Sequence, residues 1–206
     1  MMGAKKMIKM IGFSSLALLL MVSQSWAMGI SDFFQAGSAY LTHVVAHETG
    51  HNAMAHMAGG RDVQMDFFQK KDGSFFAGVS SVGEIERKSV LPFRAAGVVA
   101  SNYTFDLALS SYRTQPSTYN KALLFFSGTD FLWYSVWSFY IKGSNDPGYD
   151  PVGISQETGL STETIVSVAL FQTALNAFRV YSGHDRYVPY IAVNDERMDV
   201  GVRVHF

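Results

Sequence analysis

Val44-Val45-Ala46-His47-Glu48-Thr49-Gly50-His51-Asn52-Ala53-Met54-Ala55-His56 is the stretch on which the reading of this chain turns. Around it, from about Asp32 to Met57, run helix formers without a proline, with Ser31-Asp32 as a start signal and Gly59-Gly60 as a stop. On such a helix His47 and His51 lie one turn apart on one face, so their imidazoles can converge on a single ion, and Glu48 sits beside them.

Six His and six Glu in 206 residues give about 0.005 chance occurrences of this spacing. Its chemistry is that of zinc hydrolases: two imidazoles on a rigid element bind the metal, and the neighbouring carboxylate takes a proton from metal-bound water. The plainer alternative is a helix whose histidines only pack. A charged Glu48 among Val44, Val45, Ala46, Ala53, Met54 and Ala55 argues against it, because a buried charge needs a partner. His43, one turn before His47, falls on nearly the same face and is an accessory donor, an alternative ligand or a polar residue at the rim. His56 reads as a surface residue, and His184 and His205 carry no pattern.

Catalytic zinc normally has three protein ligands, so one more is required. The chain has no cysteine, and Met54 and Met57 occupy the positions where an extended three-histidine pattern would place its glycine and third histidine. A carboxylate is expected. The candidates are Asp130 within an apolar segment, Asp146 and Asp150 in Asp146-Pro147-Gly148-Tyr149-Asp150-Pro151, and Glu84 or Glu86. Asp130 has the strongest claim from the cost of an unpaired acid in apolar surroundings, while Glu84 and Glu86 run into Arg87 and Lys88 in a solvated stretch.

The rest of the chain organises around this helix. Val63 to Phe68 and Ser74 to Val79 flank the turn Lys70-Lys71-Asp72-Gly73, a hairpin signature. Three apolar segments, about Val90 to Ser110, Lys121 to Ile141 and Glu163 to Tyr181, are helical by length. Tyr187 to Phe206 predicts a terminal hairpin turning at Asn194-Asp195-Glu196.

Hydrophobic residues make up 48% and charged residues 16%, below the roughly 25% charged content of ordinary soluble domains. The segment Lys121 to Ile141 is apolar enough to be expected to span a bilayer, interrupted only by Asp130. A helical core in water is the competing reading, favoured by a mean hydropathy of only +0.10. The expected fold is mainly α: a helical, membrane-embedded bundle with one hairpin after the metal-binding helix and another at the C-terminus.

Lys5, Lys6 and Lys9 precede the apolar run Ile11 to Val22, and Ser25-Trp26-Ala27 supplies small residues where cleavage would fall, so residues 1–27 read as a secretory signal peptide. Removing it takes three of 16 basic residues and no acid, leaving 13 against 17 acidic ones. That balance argues against nucleic acid as a partner. Absence of cysteine fits an exported protein that uses no disulfide. The expected location is the cell (inner) membrane or the periplasm, with residues 28–206 as one domain.

At the level of motifs, the chain resembles the site-2-protease-like membrane zinc metallopeptidases. Ala46-His47-Glu48-Thr49-Gly50-His51, then Ala55 and Gly59-Gly60-Arg61-Asp62-Val63, is similar to that family's metal-binding helix and its Gly-Gly-Arg-Val exit, with Asp62 as an extra residue. Phe76-Ala77-Gly78-Val79 resembles the glycine-containing strand that follows, and Ala96-Gly97-Val98-Val99-Ala100-Ser101-Asn102 a later helix start without its proline. The likeness covers roughly residues 40 to 160. It implies hydrolysis of a peptide or protein substrate with Zn2+ as cofactor, His47 and His51 as ligands, Glu48 as general base, and an aspartate from a later segment as third ligand. The family's Leu-Asp-Gly element is missing. Asp150, in Asp150-Pro151-Val152-Gly153-Ile154, takes its place first and Asp146 second, ahead of Asp130. Asn102 or Asn145 would steady the oxyanion. The rivals are a soluble periplasmic zinc peptidase with the same chemistry and a non-catalytic metal-binding scaffold.

Overall fold

A computed structural model describes residues 29–71, 74–194 and 197–206. Residues 1–27, and with them the signal-peptide reading, lie outside this set, as do parts of the two expected turns, residues 72–73 and 195–196. The chain divides into one unit up to Phe33 and a second from Phe34 to Phe206. The second holds all the packing and the site described below.

Five helices and two antiparallel hairpins make up the described structure. Helix α1 covers Ile30–Met57. It ends in a Schellman arrangement: Gly59 adopts φ 69°, its N–H donates to His56 O at 3.1 Å, and the Gly60 N–H donates to Ala55 O at 2.8 Å. Only glycine takes that left-handed conformation without strain, which is why the chain leaves the helix there. Hairpin β1 (Gln64–Lys71) and β2 (Ser74–Ser81) follows, with Phe67 opposite Gly78. Then come α2 (Val90–Thr114), α3 (Thr118–Val136), the short α4 (Asp150–Thr158), α5 (Thr162–Ser182), and the hairpin β3 (Tyr187–Val193) and β4 (Met198–Val204). Ser117 and Ser161 cap α3 and α5, each accepting from the backbone N–H three residues on.

Helix α2 is the hub, because three apolar clusters meet on it. Phe93 and Ala96 pack with Met54 and Ala55 of α1. Ala95 and Val98 join Phe131 of α3, Ile154 of α4, Ile165 and Ala169 of α5, and Ile191 of β3. Phe105, Ala108 and Leu109 pack with Ala39 of α1 and Leu123 and Leu124 of α3. Helix α1 comes unusually close to α2: a Cβ on Gly50 would stand 2.5 Å from Ala96 O and 2.6 Å from the Ala100 Cβ. That approach carries the histidine face of α1 against the middle of α2.

The mainly helical fold with its two hairpins matches the sequence expectation. The spanning segment does not. Among the described residues no helix is long and apolar enough to cross a membrane. Helix α3 stops at Val136 and passes into a π turn over Trp137–Ile141. Its apolar run is diluted by Ser127, Gly128, Thr129, Asp130, Ser135 and Ser138, while Leu123, Leu124, Phe131 and Val136 are buried in the protein itself.

Candidate metal centre

His47 and His51 project from α1 into a cleft closed on the far side by α2 and by the first turn of α4. Their Nε2 atoms are 3.2 Å apart. Asp150 Oδ2 lies 3.0 Å from His47 Nε2 and 2.9 Å from His51 Nε2. All three side chains are buried, 7%, 4% and 4% exposed. Asp150 is the first residue of α4, followed by Pro151, and the free N–H groups at a helix start favour a carboxylate there.

The far side of each ring fixes which atom carries the proton. His51 Nδ1 is 2.7 Å from the Phe93 carbonyl, which can only accept, so Nδ1 is the N–H. His47 Nδ1 is 3.0 Å from Asp130 Oδ2 and 3.2 Å from Ser101 Oγ, so it too donates to a carboxylate. In their neutral forms both rings therefore turn bare Nε2 lone pairs toward the Asp150 carboxylate. Three electron pairs facing one another need a cation between them, either a proton or a metal ion. His47, His51 and Asp150 form a buried group able to bind a metal ion.

The spacing fits such an ion. Bonds of about 2.0 to 2.1 Å place two ligand atoms about 2.9 Å apart at right angles and about 3.3 Å apart at the tetrahedral angle. The three observed edges of 3.2, 3.0 and 2.9 Å fall in that interval. Gly97 of α2 keeps the space clear: a Cβ there would be 2.3 Å from His47 Nε2 and 2.4 Å from His51 Nε2, close to metal–nitrogen bond length.

The electrostatics agree. Burial pulls the His47 imidazole down, but the charges and hydrogen bonds of Asp130 and Asp150 outweigh it and hold the ring well above its ordinary value. Burial pushes Asp150 up, yet His51 and His47 bring it below the usual carboxylate range. Asp130 is likewise lowered, burial being overcome by His47 and His43. The ion-pair partners of both aspartates are histidines throughout.

Glu48 is 8% exposed. Strand β2 passes over it with Gly78 at the contact, where a Cβ would lie 2.5 Å from Glu48 Cγ and 2.8 Å from Oε1. Ser80 Oγ donates to the Glu48 carbonyl at 3.0 Å, pinning the strand to the helix. Tyr134 of α3 completes the surroundings. Its ring meets His47 edge-on at 6.0 Å and Tyr149 at 6.1 Å. Burial, then the charges of Asp150 and Glu48, raise its hydroxyl well above the ordinary phenol, so it keeps its proton.

Of the residues picked out in the sequence, the structure thus gathers His47, His51 and Asp150, with Glu48 beside them. It leaves Asp146 outside. That carboxylate is exposed and closes its own turn, accepting from the Gly148 N–H at 2.8 Å. Asp130 does reach His47, but at Nδ1 rather than at Nε2, the nitrogen that faces Asp150. Glu84 pairs with Arg61 at 3.6 Å and Glu86 with Lys88 at 3.5 Å, both well exposed. His56 is exposed, as its position on the helix predicted. The Asn102 side-chain oxygen accepts from Gln172 of α5, and Asn145 sits in an exposed loop where its carbonyl accepts from Gln156. Gly97, Ser101 and Tyr134 were not foreseen as site residues. Gly97 and Ser101 do fall in the segment flagged by resemblance.

Compared with family models, with curated proteins and with solved structures, the chain has no match.

Proposed function

We infer that the protein is a zinc-dependent hydrolase acting on peptide bonds, with His47, His51 and Asp150 as metal ligands and Glu48 as general base. The observation that carries this reading is the convergence of two Nε2 lone pairs and one carboxylate oxygen, with both distal nitrogens tied to acceptors. Two histidines and one carboxylate also suit iron oxygenases. What favours zinc hydrolysis is Glu48, held next to the ligands on the same helix, as a water-activating base requires. The peptide substrate rests on the family resemblance of residues 40–160, and an exported location rests on residues 1–27.

When bound, zinc would supply an acidified water and polarise a carbonyl. The chain's own part follows from its geometry. Glu48 takes the proton of the attacking water and returns it to the leaving amine. Tyr134, whose ring stands edge-on to His47 and whose hydroxyl keeps its proton, is the donor assigned to a developing oxyanion. The aromatic wall of Tyr134, Tyr149 and Phe76, with ring centroids 6.1 and 5.7 Å apart in sequence, keeps the neighbourhood apolar.

The direct test is metal analysis of the purified full chain together with casein hydrolysis. One zinc per chain and activity lost to phenanthroline and restored by zinc are expected; iron in its place, or no metal, would overturn the reading. Because only the folded chain assembles the three ligands, zinc at 100 times its dissociation constant should stabilise it by about 2.7 kcal/mol. A chelator should lower the melting temperature accordingly in scanning fluorimetry. For Tyr134→Phe we expect kcat to fall about 100-fold with zinc affinity unchanged. Stopped-time assays beside a chelator titration would separate the two quantities.

A further inference from the structure

Asp130 lies behind the metal-facing edge of His47, and its surroundings are more ordered than pairing one histidine requires. Oδ2 accepts from His47 Nδ1 at 3.0 Å and from Ser101 Oγ at 2.8 Å. Oδ1 faces His43 Nε2 at 3.0 Å. The carboxylate is held by donors from α1 and α2 and cannot rotate without losing one. His43 is 6% exposed, and its other nitrogen, Nδ1, is buried without a hydrogen-bond partner. Its one polar contact is therefore spent on Asp130.

We propose that Asp130, anchored by His43 and Ser101, is the positioning residue that fixes the metal-binding tautomer of His47. The proposal rests on the metal reading above. An imidazole has one proton to place between two nitrogens. A carboxylate at Nδ1 holds the proton there and leaves the Nε2 lone pair free for the ion; it also makes that lone pair a stronger donor. His51 obtains the same result from the Phe93 carbonyl, an acceptor that no side-chain change removes. His47 alone depends on a side chain, so the two ligands differ in how they can be disturbed. His43 acts one step further back: it stops Asp130 from turning away.

The amide in Asp130→Asn has the shape of the carboxylate but can offer an N–H to His47 Nδ1. That favours the tautomer with the proton on Nε2, where the ion must bind. Outer partners of this kind typically carry about 10- to 100-fold in metal affinity. We expect a loss in that range for Asp130→Asn in zinc competition against a chromophoric chelator, and a shifted visible absorption spectrum of the cobalt-loaded protein. His43→Phe should weaken zinc as well, and His43→Gln, which can still donate to Asp130, should restore it.

If wild type binds no zinc, the metal reading itself falls. If wild type binds zinc and Asp130→Asn matches it in affinity and cobalt spectrum, the positioning role is overturned. Should Asp130→Asn not fold, the His43 pair decides: weakening by Phe with recovery by Gln supports the role, and equal behaviour of the two overturns it.

Discussion

Gly97→Ala is expected to remove zinc binding, lowering affinity by more than the roughly 100-fold that marks the loss of an outer partner, while the chain still folds. The added methyl would stand 2.3 Å from His47 Nε2 and 2.4 Å from His51 Nε2. Both rings are pinned on their far sides, by Asp130 and by the Phe93 carbonyl, so they can clear the methyl only by breaking those bonds. The neutral bond to the Phe93 carbonyl contributes about 1 kcal/mol and the charge-assisted one to Asp130 about 1.5 to 3 kcal/mol. Alanine in a helix interior returns roughly 0.5 to 1 kcal/mol over glycine, so metal-free stability should fall by about 1.5 to 3.5 kcal/mol. Chelator competition and thermal denaturation of the metal-free protein are the measurements. A Gly97→Ala chain that binds zinc like wild type would show that these Nε2 atoms are not the ligands.

Glu48→Gln separates binding from turnover. Glutamine keeps the length and the contact with Gly78 but cannot take a proton. Zinc stoichiometry and affinity should be unchanged, and kcat should fall by about 10²- to 10⁴-fold, the contribution of a general base. Retained zinc with undiminished hydrolysis would take the base role from Glu48. Retained zinc with no hydrolysis in wild type or variant would leave a metal-binding protein without catalysis.

The extent of α1 was legible because its signals are local: no proline from Asp32 to Met57, and a glycine pair at the end. The two histidines of the candidate site were legible for the same reason, since a spacing of four residues fixes their common face. The third member of the group was not. Asp150, about 100 residues away in sequence, was ranked first by resemblance, while the cost of burial pointed at Asp130. That cost argument was correct in kind: Asp130 does find partners. Sequence could not say that they would be His43 and the wrong edge of His47 for ligation. Gly97 escaped notice because its role is a distance between two helices, and Tyr134 because it stands in the run Phe131-Leu132-Trp133-Tyr134, where any residue reads as core. The same run suggested a bilayer; in the fold Phe131 meets Val98, Ile154 and Ile191 instead.

The crossing of β2 over Glu48 has a consequence for what the protein can accept. The three metal-facing side chains and Glu48 are each less than one-tenth exposed, and the strand rests on the helix through a glycine and the Ser80 hydroxyl. A folded surface is too broad to reach atoms enclosed this way. On the proposed hydrolase reading a substrate would have to arrive thin, as a single extended strand, so that candidates are sorted by girth before any bond is tested chemically.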